Sequence, residues 1–359
     1  MSQHVLTRVI DWRITMVNYE FNGVPIYFPV EIYHDIVPLL GGITEKQFFL
    51  NAGLCIAAWQ AEIDFIREEF GELLEPRKPA AAPNSYGHLI CLGCPVRYPD
   101  DAEPNISPAV TSIDDAITAL EESREMDFTT QPIFVQYAEL SRKIHEAFPN
   151  DAPIFSGLGL QGPLTSAALF RGQDFYLDIM DEPEKCAQYL HLMTDSIIDF
   201  RKQCNLFKGE PAINPNGIGL ADDLASMIPP KLWDELVLPF WRQYYLGSAR
   251  GKDWSLHCEA LTPAHLPYLE KAGVIHYQPS VSPALTIDTV RQNTGIPFDW
   301  LLYSYHITDM TDAEIEVWID NTVHAGITSI RTQFGKNAVV KNKLDRIHAW
   351  FHAADKYRV

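Results

Sequence analysis

Helical apolar stripes alternate with short apolar runs along most of this chain, and few folds accept such a pattern. Phe49, Ala52, Ile56, Trp59, Ile63, Ile66 and Phe70 recur at steps of three and four, which predicts one long helix with a single apolar face. Cys186, Leu190, Met193, Ile197, Phe200 and Cys204 repeat the spacing, and Asp181 with Pro183 marks the start of that helix. Thr311 and Glu314 form a capping box ahead of Ile315, Trp318 and Ile319. Pro229 and Pro230 open a helix carrying Trp233, Leu236 and Leu238. Further helices are expected near 112–122, 131–148, 261–272 and 339–356. Between them lie eight strand candidates, near 25–30, 72–76, 153–158, 213–219, 254–258, 274–278, 298–303 and 327–332. Alternation of this kind is the signature of a parallel sheet wrapped by helices. Eight staves are what a closed α/β barrel requires, so the expectation is a single (β/α)8 TIM-barrel domain over 1–359 with N-terminal helical and hairpin additions. A strand pair near 86–97 reads as an insertion, and Pro76–Pro83 is the nearest thing to a linker.

Composition narrows the partners. The formal net charge is −19, which repels phosphate backbones and makes nucleic acid a poor partner. That charge suits a soluble protein, or docking to a partner with a basic patch. Six cysteines, at 55, 91, 94, 186, 204 and 258, are too few for a disulfide framework. Met1–Tyr19 carries scattered charges without an apolar core of signal-peptide type. No run of about 18 apolar residues suggests a membrane span. A cytoplasmic enzyme is the expectation.

The chemistry concentrates in Trp254-Ser255-Leu256-His257-Cys258-Glu259. On a strand, side chains alternate between the two faces. Trp254, Leu256 and Cys258 then face the outer helices, while Ser255, His257 and Glu259 face the barrel interior. Catalytic groups of such barrels sit at the C-terminal strand ends. An imidazole and a carboxylate two residues apart can bind one divalent metal, zinc being the natural choice at about 2.0–2.2 Å. Equally, the two can bond each other or hold substrate.

Several segments together resemble the uroporphyrinogen decarboxylase superfamily. They are GLGLQGPLTSAALFRG from Gly157, DIMDEPEKCAQYLHLMTDSIIDF, GIGLADDLASMIPPKLWDELVLPFW and LHCEALTPAHLPYLEKAGV. The segment LGCPVRYPDDAEPNISPAVTSIDDA is similar to the methyltransferase branch. The resemblance implies a (β/α)8 barrel and one of two chemistries. One is cofactor-free decarboxylation of uroporphyrinogen. The other is zinc-dependent methyl transfer to or from a corrinoid, often carried on a separate protein. The decarboxylases have an arginine-rich motif near the N-terminus, whereas Tyr19–Phe28 here is aromatic and lacks an arginine pair. A substrate studded with carboxylates needs cationic clamps, so this loss weighs against decarboxylation.

The methyltransferases carry a His-x-Cys zinc pair and a further late cysteine. On that pattern His257 keeps the histidine place and Glu259 takes the place of the first cysteine, with Cys258 between them. The late segment Ile330–Gly335 has no cysteine. His306 is the first choice for a third ligand, then Asp223, then Gln333. Asp222 and Asp223 occupy an aspartate-rich turn, where one can orient substrate, act as a general acid or cap the following helix. Oxygen and nitrogen ligands leave zinc a harder Lewis acid than thiolates do. The expected reaction therefore moves a methyl group from a small-molecule methoxy donor to the Co(I) of a corrinoid protein. Decarboxylation, methyl transfer to a thiol or folate, and a non-catalytic corrinoid-binding barrel are the alternatives. Tyr27, Phe28, Tyr303 and Arg331 are the candidate substrate contacts, with ordinary core the competing role for the aromatics.

Other features carry less. Cys91 and Cys94 have CxxC spacing without a second pair. Packing accounts for His265 and His276. Gly157, Gly159 and Gly162 match GxGxxG, and are expected to let backbone approach a ligand.

Overall fold

The computed structural model describes residues 18–359, so the reading of Met1–Tyr19 falls almost wholly outside the described residues. In chain order the strands are β1 (Tyr19–Phe21), β2 (Val24–Ile26), β3 (Val30–Ile32), β4 (Val96–Arg97), β5 (Asn105–Ile106), β6 (Gly217–Ala221), β7 (Asp253–His257), β8 (His276–Gln278), β9 (Asp299–Leu302) and β10 (Ser329–Phe334). The chain is mixed α/β and divides into two compact units. No described helix is long and apolar enough to cross a membrane.

One unit takes in the chain up to Lys78 with Gln278–Val281 and Pro297–Val359. Its sheet has the order β3-β10-β9, with both pairings parallel. The helix Asp312–His324 makes the crossover from β9 to β10. The capping box predicted at its start is present: Thr311 Oγ1 accepts from Glu314 N, and Thr311 N donates to Glu314 Oε2. The strand expected at 25–30 is split. Its first part is an arm of the β1–β2 hairpin, turned at Asn22 and Gly23, both with positive φ. Its second part runs beside β10, from the Tyr27–Ser329 bridge into β3.

The long stripe from Phe49 is also split, into helices Glu45–Leu50 and Ala52–Phe70. Asn51 is extended between them, and its side chain accepts from Leu54 N at 3.1 Å, so a local cap outcompetes a continuous helix. Likewise 339–356 becomes Lys336–Val340 and Asp345–Ala354, with Asn342 at positive φ in the break. Residues 72–76 form no strand: Gly71, at φ 57°, ends the helix and the chain turns.

The other unit comprises Pro79–Tyr277 and Ser282–Ile296. Its sheet has the order β6-β7-β8. β6 and β7 run parallel from Gly217↔Asp253 to Ala221↔His257, so they end together. The helix Leu238–Ser248 lies between them in the chain, and Val237 separates it from the short helix Trp233–Leu236. The helix predicted from Cys186 runs Pro183–Phe207 and buries every residue of its predicted stripe. Near 86–97 the expected strand pair is absent. Gly87–Cys91 is a helical turn, and the hairpin is β4 with β5. Periodicity cannot separate strand from helix in so short an apolar run. The segment 153–158 forms only the bridge Asn84↔Leu158, and 261–272 is helical only over Pro267–Ala272. The described pairings thus make two three-stranded sheets and two two-stranded hairpins rather than one complete ring of eight staves.

His88 is fully buried in this unit, with Nε2 2.9 Å from Ser196 Oγ and its ring against Phe128 and Phe200. Burial pushes its imidazole down to about 3. A depressed folded-state value favours folding above the unfolded value near 6.5, and that advantage is lost as pH falls toward about 3. Urea unfolding at pH 7 and pH 4 should show His88→Gln losing less stability on acidification than the parent, by about 3 kcal/mol.

Candidate active site at the ends of two parallel strands

The common end of β6 and β7 delivers two short polar stretches. Asp222 and Asp223 follow β6; His257 ends β7, and Cys258 and Glu259 follow it. Burial alternates along β7 as a strand demands: Trp254, Leu256 and Cys258 are buried, whereas Ser255, His257 and Glu259 are partly exposed. His257 Nε2 lies 3.5 Å from Asp223 Oδ1 and 3.9 Å from Glu259 Oε1. Asp223 Oδ1 also accepts the Glu259 N–H at 2.9 Å. These three side chains are 30–39% exposed, open enough to meet a ligand.

Asp222 is different in kind. It is fully buried, and its carboxylate lies at the N-terminus of the helix Pro163–Arg171. Oδ1 accepts from Thr165 N at 2.7 Å; Oδ2 accepts from Leu164 N at 3.2 Å and from the Trp241 indole at 2.7 Å. The helix has Gly162 at its cap position, without a side chain to do this work, so Asp222 caps it from a distant part of the chain. Burial pushes the Asp222 carboxyl up to about 6, against the opposing pull of those donors. Its backbone is tied as well: Asp222 N donates to His257 O, and Cys258 Sγ is 3.2 Å from Asp222 O. This carboxylate is closed to substrate. Asp222 makes no side-chain cap to the segment that follows it, the alternative expected for that turn, and caps the sequence-distant helix Pro163–Arg171 instead.

Cys258 is wholly buried, and burial pushes its thiol well above the usual range, with the Asp222 carboxylate adding to the shift. Tyr277 Oη donates to the Cys258 carbonyl at 3.0 Å. Ala260, two residues on, has φ 58°, a left-handed conformation costly for a residue with a Cβ. His265 is buried on Trp233; its Nδ1 accepts from Thr262 N, and its Nε2 is 3.3 Å from Ile228 O, a packing role as expected.

The GxGxxG glycines serve backbone contact rather than ligand approach. A Cβ on Gly157 would meet Ala81 O at 2.6 Å, and one on Gly162 would meet the Asp222 side chain at 2.5 Å. Both positions are needed for chain to pass chain.

The remaining candidates belong to the other unit. Phe28 is buried among Tyr19, Trp350 and Tyr357, which makes it core rather than a substrate wall. Tyr27 is partly exposed, with its backbone paired to β10. Tyr303 donates to Ser280 O at 2.7 Å and stacks on Tyr305. The Arg331 guanidinium is buried between Asp299 at 3.1 Å and Glu31 at 3.2 Å, so its charge is already answered. His306 is exposed in the short helix Ser304–Ile307, against Tyr303 and Tyr305. Gln333 is buried in β10. Of the three ligands considered to complete the set, the structure places Asp223 beside His257. Thr165 and Trp241 are the contributors that sequence reasoning missed. Thr165 stood two residues after Pro163, in the first helical turn, where backbone donors need an acceptor.

A tetrahedral zinc with bonds of about 2.0–2.2 Å sets its ligand atoms roughly 3.3–3.6 Å apart. The His257–Asp223 spacing fits, and the His257–Glu259 spacing is slightly wide. Among the described residues no three or more His, Cys, Asp and Glu side chains are placed so that together they could hold a metal ion. The nitrogen and oxygen donor types are ones zinc accepts, and only the His257–Asp223 pair stands at ligand spacing.

Two substitutions separate strain from bracing. Ala260→Gly should raise stability by about 1 kcal/mol in urea unfolding by relieving the left-handed residue. Asp222→Asn should lower it by about 1–3 kcal/mol, because an amide NH2 must face an N–H donor in a closed site.

A family model described as uroporphyrinogen decarboxylase (URO-D) matches residues 87–295, more than half of the chain. The stretch contains Asp222, Asp223, His257 and Glu259, and leaves out Tyr27, Phe28, Tyr303, His306 and Arg331. Comparison with curated proteins gives no match. The chain belongs to the uroporphyrinogen decarboxylase family, a TIM-barrel family of enzymes.

Proposed function

We propose that this protein is a zinc-dependent methyltransferase that takes a methyl group from an oxygen donor, such as an aryl methyl ether, to the Co(I) of a corrinoid held by a partner protein. The observation that carries the reading is that His257 Nε2 lies 3.5 Å from Asp223 Oδ1 and 3.9 Å from Glu259 Oε1 at the ends of β6 and β7, with the Cys258 thiol buried. His257, Asp223 and Glu259 would hold the zinc. Bound there, zinc would supply Lewis-acid stabilisation of the charge that grows on the donor oxygen as the methyl group departs. Glu259 is fixed at its backbone N–H by Asp223, so the two carboxylates present a joint acidic face beside the imidazole. Cys258 stays protonated and turned away, which removes a competing soft nucleophile.

Decarboxylation of a polycarboxylate would call for guanidinium groups that can reach a substrate. Arg331 is engaged by Asp299 and Glu31, and Arg77 by Glu62, which favours the methyltransferase reading.

Protein purified without added metal should contain about one zinc per chain by elemental analysis. His257→Ala and Glu259→Ala should lose it, Cys258→Ser should keep it, and a panel of methoxy compounds with Co(I) corrinoid should give the methyl-cobalt colour change only with metal-competent protein. Absence of zinc, or loss of zinc in Cys258→Ser alone, contradicts the proposal.

A further inference from the structure

Thr165 lies on the helix Pro163–Arg171, far in sequence from the candidate ligands, yet it touches both sides of Asp223. Its N–H donates to Asp222 Oδ1 at 2.7 Å. The same Oγ1 accepts from Leu224 N at 3.0 Å. Asp223 is therefore held between two residues that each answer to Thr165. Behind them, Trp241 closes on Asp222 Oδ2, and the Asp222 backbone is bonded to His257 O. Thr165, Asp222 and Trp241 are buried, and Gly162 packs so closely on Asp222 that a Cβ there would strike its side chain.

We propose that Thr165 and Asp222 are positioning residues that set the Asp223 carboxylate against His257 and the Glu259 N–H. The inference rests on the metal-site reading above for its consequence, but not for its geometry. Asp223 is partly exposed, and its carboxylate accepts from Glu259 N at 2.9 Å from a backbone held on either side. Orienting partners of metal ligands typically change metal affinity ten- to a hundredfold when removed. The hydroxyl is the feature to remove, because it is the acceptor for the Leu224 N–H while the backbone N–H of the same residue holds Asp222.

The test compares Thr165→Val, which keeps the shape and removes the hydroxyl, with Thr165→Ser, which keeps the hydroxyl. Zinc affinity is read by chelator competition, and protection of the Glu259 amide by hydrogen exchange on metal-free protein. Thr165→Val should bind zinc about tenfold more weakly or worse and exchange the Glu259 amide faster. Thr165→Ser should stay close to the parent in both. If Thr165→Val lowers only the thermal midpoint, and leaves zinc affinity and Glu259 protection unchanged, the brace is overturned. If the parent protein takes up no zinc, the metal reading fails by itself, and the Glu259 amide still decides for or against the brace.

Discussion

A carboxylate sealed inside a protein must be surrounded by donors or be given up, and Asp222 is surrounded. Two N–H groups from the first turn of one helix and an indole N–H from another converge on its two oxygens. An ionised carboxylate left unpaired there would cost several kcal/mol. The arrangement is therefore close to all-or-none. It ties the helix Pro163–Arg171, the helix Leu238–Ser248 and the end of β6 to one point. The positive end of the helix dipole points at the same carboxylate, which further favours the anion.

The chemistry of the site follows from that anchor. Residue 222 is committed inward just past the end of β6, and residue 223, which opens a 3-10 turn, is left partly exposed. β7 ends beside it in register, and its own alternation sends His257 and Glu259 to the open side and Cys258 to the closed one. The thiol that draws the eye in the sequence is thus the member of the segment least able to act. What remains is an imidazole and two carboxylates, a donor set of nitrogen and oxygen. Such a set makes a bound divalent ion a hard Lewis acid and suits an oxygen leaving group. Strain at Ala260 sits directly after this set, where a rigid scaffold can maintain it.

Much of this was legible in the sequence, and the losses have physical causes. The stripes of the helices Ala52–Phe70 and Pro183–Phe207 were clear, because burial on one face repeats over many turns. The breaks at Asn51 and Val237 were not, because a cap or a single extended residue leaves the periodicity almost intact. Strand alternation placed His257, Cys258 and Glu259 on their sides, since that is local geometry. The role of Asp222 was hidden, because its partners Thr165 and Trp241 are brought to it by tertiary structure. Phe28 and Arg331 illustrate the same limit: an aromatic or an arginine looks available until its neighbours Trp350, or Asp299 and Glu31, are known. The 153–158 stave is reduced to one bridge at Leu158, where Gly157 lets the chain pass close to Ala81.

The central proposal is that zinc, where this protein binds it, would meet oxygen and nitrogen ligands and no sulfur. X-ray absorption at the zinc edge of the purified protein measures that directly. The account predicts a first shell of nitrogen and oxygen at about 2.0–2.1 Å. A sulfur shell at about 2.3 Å would place Cys258 on the metal and contradict it.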